Sequence, residues 1–157
     1  MSAFVIALAV FFVILIAISI LYRNATLDRL VMMEGERVIF EERGVRVSQE
    51  GAPDSVLFVN CVVRLTDRRI IIAQKMLFRE KYALRHVIGY GERGAVTDLG
   101  KTLARGYLIM RIDSGEVRVR EESGVATVTI PIPRSALTGG QYISFTISHP
   151  EHFQNLA

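Results

Sequence analysis

Cysteine and histidine are scarce in this chain. Cys61 is the single cysteine among 157 residues, so no internal disulfide can form and a disulfide-stapled secreted miniprotein is excluded. Of the three histidines, the neighbouring pair His149 and His152 fits neither H-E-x-x-H nor H-x-x-E-H. The sequence also lacks a P-loop, a nucleophile elbow and a pair of carboxylates set in an apolar segment. It therefore predicts no catalytic residue, no metal site and no cofactor, and we expect a protein that is not an enzyme.

Charge is missing altogether from the first 22 residues. Half of the whole chain is hydrophobic and 22% is charged, and every charged side chain lies after residue 22. About a quarter of that remainder is charged, which is typical of a soluble domain. This segregation excludes a disordered chain and a transporter with several membrane spans. It predicts one soluble domain attached to a membrane anchor.

Residues 3–22 form an uninterrupted apolar run whose side-chain hydroxyls belong to Ser19 and Tyr22. A helix of twenty residues is about 30 Å long, which matches the hydrocarbon core of a bilayer. A cleaved signal peptide is the alternative, but it would have a positively charged start and a shorter apolar run. We therefore expect residues 1–23 to be an uncleaved transmembrane helix.

The charges that flank this run predict its orientation. Arg23 and Arg29 follow the run and no lysine or arginine precedes it, so the positive-inside rule places the following domain in the cytoplasm. The prediction is a single-pass protein of the cell (inner) membrane with its N-terminus outside. Residues 24–33 would be a juxtamembrane linker. Because ten residues span at most about 35 Å, residues 34–157 would work near the membrane surface.

Beyond the linker, polar and apolar residues alternate with the period of two that is typical of strands. Residues 56–65 and 68–74 are apolar segments joined by Thr66 and Asp67, which predicts an antiparallel hairpin. Cys61 lies inside the first of these segments, so it is expected to be a buried strand residue.

The second half of the domain has the same alternation. Residues 107–112 and 116–120 are joined through Asp113, which predicts another hairpin, and Pro131 favours an edge position for the next strand. Residues 148–151 are typical of a helix start. The predicted fold class is mainly β: a small antiparallel barrel or sandwich of about seven strands with a short C-terminal helix.

Four stretches follow one another in the order of a known superfamily. Residues 34–38 (EGERV) open the first strand, residues 65–72 (LTDRRIII) have an L-T-x-x-R-hydrophobic pattern, and residues 82–88 and 143–153 follow. In these stretches the chain resembles the pleckstrin-homology (PH) superfamily, in particular its GRAM and bacterial PH-like branch, over about residues 34–156. The resemblance implies a module that binds lipids or proteins and carries no catalytic residues.

The chain departs from this pattern in two places. A PH-like domain closes one barrel mouth with a full helix, whereas only residues 150–157 remain here, which leaves that mouth open or capped by a partner. Members that bind phosphoinositides carry basic residues on the first loop between strands. Here residues 48–55 contain Glu50 and Asp54 and no lysine or arginine, so a phosphate clamped by arginine is not expected at this loop.

A G-x-G-x-x-G pattern at Gly89, Gly91 and Gly94 predicts a dinucleotide site if it lies between two parallel strands, with Asp113 as the ribose-binding acid. Against this, Gly100 and Gly106 would interrupt the helix that the motif needs. The predicted hairpins are also antiparallel rather than parallel. We favour a glycine-rich loop between strands and keep dinucleotide binding as a less favoured alternative.

The most suggestive surface segment is an apolar triplet flanked by cations, which could meet a membrane interface or a partner protein. Together with the two arginines after the apolar run, it gives these candidate contact residues: Arg23, Arg29, Lys75, Met76, Leu77, Phe78, Arg79 and Lys81. The favoured alternative is that Met76 and Phe78 are core residues of a strand. A wider basic face would comprise Arg64, Arg68, Arg69, Lys75, Arg79, Lys81 and Arg85.

These features predict a non-enzymatic, single-pass scaffold subunit beside other integral membrane proteins, with a bioenergetic complex, a transporter or a secretion assembly as possible partners. The alternative is a surface module that binds anionic lipid, which the net charge of +3 would assist. No aromatic stacking motif accompanies the basic residues, so nucleic acid is not an expected partner.

Overall fold

The computed structural model describes residues 10–13, 26–51, 55–77, 79–90, 108–113, 115–132 and 141–156. Within these ranges the chain is mainly β, as the sequence predicts, but it has eight strands rather than about seven. The strands are β1 (Val38–Glu50), β2 (Val56–Thr66), β3 (Arg69–Lys75), β4 (Tyr82–Tyr90), β5 (Leu108–Ile112), β6 (Arg118–Glu122), β7 (Val125–Ile132) and β8 (Gln141–Ile147). A short helix, Glu151–Gln154, follows β8.

All eight strands belong to one sheet in the order β5-β4-β3-β2-β1-β8-β7-β6. Strands β1 to β4 form one antiparallel meander, and strands β6 to β8 form another. Strand β1 joins the two meanders because it pairs with β2 on one side and with β8 on the other. At Gly44 (φ +78°) the register of β1 against β2 shifts, and such a bulge bends and twists a strand. The bend helps one strand serve both halves of the curled sheet.

The hairpin of residues 56–65 and 68–74 is confirmed, but the predicted hairpin of residues 107–112 and 116–120 is wrong. Strand β5 pairs in parallel with β4, and β6 pairs with β7, so β5 and β6 lie at opposite edges of the sheet order. Asp113 and Glu116 do close a local turn, in which the Glu116 N–H donates to the Asp113 carbonyl at 3.2 Å. The chain turns there without forming a ladder because β4 supplies the hydrogen-bonding partner of β5.

The edge position predicted from Pro131 is also wrong, because β7 lies between β6 and β8. Pro131 pairs with Tyr142 of β8 and lies two residues past Thr129, the last β7 residue that pairs with β6. The missing N–H of proline therefore removes no bond from the β6–β7 ladder.

The main core fills the inner face of the curled sheet, with residues from all the strands except β6 buried in one cluster and Val119 of β6 packed against it. Cys61 is fully buried there, as predicted. Phe153 of the C-terminal helix is also fully buried, with its ring centroid 5.8 Å from that of Phe40 and 5.7 Å from that of Phe145. The short helix thus covers part of the core with its own Phe153 side chain.

Of the predicted transmembrane run, the structure describes residues 10–13, which are helical and have all four side chains more than half exposed. Among the described residues no helix has both the length and the apolar composition needed to cross a membrane. The transmembrane anchor therefore stays a prediction.

Candidate membrane-facing site

Residues 26–33, which we call the docked segment, lie on the outer face of β3 and β4. Thr26 forms an antiparallel bridge with Ala83 of β4, and one turn of 3-10 helix follows at Leu27–Arg29. Leu30 is 8% exposed and packs in a second apolar cluster, together with partly buried Leu27 and Met33. The strand residues of this cluster are Ile71, Ala73, Leu84 and Val87. The part of the predicted linker that the structure describes is therefore packed against the sheet.

This packing explains the continuous apolar run of β3. Ile70 and Ile72 belong to the main core on the inner face, whereas Ile71 belongs to the cluster beneath the docked segment. A strand that is buried on both faces has consecutive apolar residues rather than alternation.

A buried ion pair fixes the C-terminal end of the docked segment. The Arg69 guanidinium donates to both carboxylate oxygens of Glu36 at 2.7 Å, and the two side chains are 1% and 0% exposed. Arg69 also donates to the Val31 carbonyl at 2.8 Å. The Thr66 hydroxyl and the Met33 N–H donate to Glu36 at 2.7 and 2.8 Å. These bonds tie the docked segment to the β2–β3 turn.

The same bonds set the protonation state of Glu36. Burial by itself would raise the pKa of the Glu36 carboxyl, but the hydrogen bonds from Arg69, Met33 and Thr66 and the charge of Arg69 lower that pKa below its ordinary value. Glu36 is therefore a carboxylate at neutral pH and neutralises Arg69. The sequence stretches that carry the family resemblance, residues 34–38 and 65–72, are the ones that meet here. Their pairing through Glu36 was not predicted.

The predicted basic face is reduced by these contacts to a smaller group. Arg69 is buried in its ion pair, so its placement on that face is wrong. Arg64 pairs with Glu41 at 2.7 Å, and Arg85 lies 5.4 Å from the Phe58 ring centroid and donates to Gln74 at 3.0 Å. Three of the cations that remain lie from the last residue of β3 to the residue before β4: Lys75, Arg79 and Lys81.

Residues 75–81, which we call the basic turn, connect β3 to β4. The Met76 N–H donates to the Lys81 carbonyl at 2.8 Å, which closes the turn. Leu77 is 84% exposed, Met76 is partly buried, and Phe78 lies outside the described residues. The alternative that Met76 and Phe78 are strand core residues is thus not supported for Met76, which lies past the end of β3. The turn presents Leu77 to solvent among three cations.

The docked segment and the basic turn lie at the same end of β4. Ala83, which bridges Thr26, is the second residue of β4 after the basic turn. Asp28 of the docked segment also forms an ion pair with Lys81, at 3.6 Å. Arg29 is exposed in the 3-10 turn, and Arg23 lies outside the described residues.

Of the three glycines in the G-x-G-x-x-G motif, the structure describes one. Gly89 is a buried residue of β4 that pairs with Arg69 on one side and Arg111 on the other, while Gly91 and Gly94 lie outside the described residues. Asp113 is exposed and comes directly after β5. Because β4 and β5 are parallel, Gly89 and Asp113 stand near the carboxyl ends of neighbouring strands, an arrangement that the predicted antiparallel hairpins would have forbidden.

Two titratable side chains, His86 and Cys61, are buried on the inner face. His86 is 3% exposed, its ring lies 5.6 Å from that of Phe58, and among the described residues neither of its ring nitrogens has a hydrogen-bond partner. Burial, assisted by the charge of Arg85, lowers the pKa of His86 to about 4. Burial raises the pKa of the Cys61 thiol to about 11, so little of the reactive thiolate forms. Within the described ranges no three His, Cys, Asp or Glu side chains come together as a metal site.

No protein-family model, no curated protein and no solved structure matches the chain.

Proposed function

We propose that this chain is a non-enzymatic, single-pass membrane protein whose β domain is an interaction subunit of a membrane protein complex. The observation that carries the proposal is the docked segment. Thr26 is bridged to β4, so only three residues of chain lie between it and Tyr22, the last residue of the predicted transmembrane run. The four Cα-to-Cα steps from Tyr22 to Thr26 reach at most about 14 Å.

A tether of this length has a physical consequence. A free linker of ten residues would let the domain sample a hemisphere of about 35 Å radius. With the docked segment packed through Leu30 and tied through Glu36 and Arg69, the domain would be held at one height and with restricted orientation above the bilayer. Such a domain can contact only what the membrane surface presents, which favours integral membrane proteins as partners.

Two further parts of the proposal, the PH-like fold and the cytoplasmic placement, are supported by separate observations. Membership of the PH-like superfamily is supported by the two meanders that β1 joins and by the C-terminal helix that inserts Phe153, while the parallel strand β5 departs from an all-antiparallel barrel. Arg23 and Arg29 after the apolar run support the cytoplasmic placement of the domain.

The test is co-purification in mild detergent from cells that express the full chain with a C-terminal tag. The decisive variant inserts about ten Gly and Ser residues after Arg23, which adds a flexible reach of roughly 17 Å to the tether. The matched control inserts the same residues between Ser123 and Gly124, in the β6–β7 turn. Melting temperatures of both variants are compared with wild type, so that loss of folding is recognised.

We expect a stoichiometric companion with the wild type and with the control, and its loss with the lengthened tether. Recovery of the wild type as a free monomer would refute the proposal. Equal recovery of the companion with both insertions would show that the short tether does not matter for binding.

A second candidate function, dinucleotide binding, is favoured by the parallel pairing of β4 and β5. It predicts micromolar binding of NAD or NADP to the full chain in detergent, and loss of that binding in Asp113→Ala but not in Asp67→Ala. Saturable binding with this pattern would replace the interaction subunit as the leading function.

A further inference from the structure

Leu77 is the most exposed large hydrophobic side chain among the residues that the structure describes, at 84%. A single exposed leucine is ordinary on a protein surface. The surroundings of Leu77 are less ordinary, because three cations and one carboxylate share the basic turn with it: Lys75, Arg79, Lys81 and Glu80. The carboxylate of Glu80 lies 3.7 Å from the Lys75 ammonium and is 96% exposed, so the turn keeps a net charge of +2.

The position of the basic turn distinguishes it from the other exposed apolar residues. Thr26 bridges Ala83 at the end of β4 from which the turn projects, and Asp28 pairs with Lys81 within the turn. Thr26, the first described residue of the docked segment, therefore lies at the end of β4 that adjoins the basic turn. A tether of about 14 Å brings this end of the sheet, rather than the opposite end, to the membrane surface.

We propose that the basic turn inserts into the headgroup region of an anionic bilayer, with Leu77 at the acyl boundary and Lys75, Arg79 and Lys81 among the lipid phosphates. An exposed apolar side chain with cations on both sides of it in the same turn matches the two components of interfacial binding, which are apolar burial and attraction to anionic lipid. The inference rests on the proposed membrane anchor, and it adds a lipid contact to a domain that was proposed above to contact protein.

The test uses the full chain, purified alone and reconstituted in lipid nanodiscs. A nitroxide label is attached at Leu77→Cys, and its collision rates with oxygen and with a water-soluble nickel complex are measured. The matched control carries the label at Glu34→Cys, an exposed site next in sequence to Gly35, which lies near Arg68 at the other end of β3. The seven residues of β3 separate the two ends by about 20 Å. The single native cysteine, Cys61, is fully buried, so wild type gives the labelling background.

In nanodiscs with about a third of anionic phosphatidylglycerol, we expect the nickel collision rate to be roughly threefold lower or more at position 77 than at position 34. Charge reversal in the turn, Lys75→Glu with Arg79→Glu, should remove that protection. The same change of charge on β6, Arg118→Glu with Arg120→Glu, should leave it intact. Purely zwitterionic nanodiscs should give a smaller difference between positions 77 and 34.

The outcomes separate this inference from the proposed function. If the chain is recovered with membranes after alkaline extraction but position 77 is as accessible as position 34, the lipid contact is refuted and the anchor stands. If position 77 is protected only when a companion protein is bound, the turn is a protein contact and the inference is overturned. If the chain is not recovered with membranes at all, the anchor is refuted and the inference falls with it.

Discussion

The outer faces of the two halves of the sheet differ in polarity and in burial. On β3 and β4 the outer face is apolar and is covered by the docked segment, with Ile71, Leu84 and Val87 each at most 1% exposed. On β7 and β8 the outer face is polar: Thr146 is exposed, and Thr127, Thr129 and Ser144 are partly exposed. Both faces lie behind the same inner core.

The comparison shows which half of the sheet needs the docked segment to bury its outer face. Strands β7 and β8 follow the alternation of a sheet with one face in water, whereas β3 and β4 would expose an apolar surface without the docked segment. The N-terminal segment is therefore part of the fold of one half only. Substitutions that act on the cover should affect stability far more than substitutions on the open face.

The largest effect is expected when the ion pair of Glu36 and Arg69, which holds the docked segment, is broken. Glu36→Ala leaves the Arg69 guanidinium buried without its carboxylate, and removal of one member of a buried ion pair costs about 3–5 kcal/mol. Denaturant unfolding followed by circular dichroism measures the loss. The exposed neighbour Glu34→Ala should change the free energy of unfolding by less than about 0.5 kcal/mol. If the two substitutions had equal effects, the pair would not be what holds the cover.

Acid should destabilise the inner core, which lies behind both outer faces. This effect is therefore independent of whether an outer face is covered. The pKa of His86 is about 4 in the folded chain and 6.5 ordinarily, so between these values the unfolded chain binds more protons. The free energy of unfolding should therefore rise with pH from 4 to 6.5, by about 3 kcal/mol in total. Denaturant unfolding at a series of pH values measures the slope.

The substitution that tests this pH dependence is His86→Phe, which should flatten the slope. His149→Gln, at a histidine whose side chain is 63% exposed, should retain the slope of the wild type. An unchanged slope in His86→Phe would assign the acid sensitivity to other groups.

Truncating an apolar side chain of the docked segment should have a smaller effect than breaking the ion pair. Leu30→Ala removes a side chain that packs against β3 and β4, and truncation of a buried leucine costs about 2–3 kcal/mol at the lower end of the usual range. Leu77→Ala is the matched control, because the same residue type is 84% exposed there. In detergent its effect should stay below about 0.5 kcal/mol. Similar losses for both leucines in thermal unfolding would count against the docked segment.

The smallest effect is expected on the open face. Thr146→Val replaces an exposed hydroxyl on β8 with a methyl group, and the free energy of unfolding should change by less than about 0.5 kcal/mol. The reverse change on the covered face, Val87→Thr, buries a hydroxyl without a designed partner and should cost about 1–3 kcal/mol. Equal costs for the two substitutions, measured by denaturant unfolding, would abolish the distinction between the faces.

Local pattern was sufficient to predict most of the strands, although not their number or the full length of β1, and one hairpin. Thr66 and Asp67 between two apolar segments identified the β2–β3 hairpin, because a tight turn fixes the pairing of its flanking strands. The turn at Asp113 was equally clear in the sequence, yet the pairing inferred from it was wrong. Whether a strand pairs with its neighbour in sequence or with β4 depends on contacts that no local pattern records.

The candidate site was predicted as residues and not as an arrangement. The segment 75–81 was identified from its cations and apolar triplet, but its closeness to Thr26 required the fold. Glu36 and Arg69 lie 33 positions apart, so their ion pair could not be seen in spacing. One signal for the cover was present: the run Ile70-Ile71-Ile72 is apolar on both faces, and such a strand needs something packed on each side.

The central position of β1 has a consequence for how the chain folds as it is made. The edge of β1 that faces β8 gains its partner only when residues 141–147 have been synthesised, although β2, β3 and β4 can pair soon after they emerge. At usual synthesis rates the interval between Glu50 and Ile147 is roughly 5 to 20 seconds. During that time Val45 and Val47 belong to an incomplete sheet with an open hydrogen-bonding edge, the kind of edge that joins other chains. The nascent protein is therefore most exposed to aggregation in the middle of its final sheet, along the strand that later holds its two halves together.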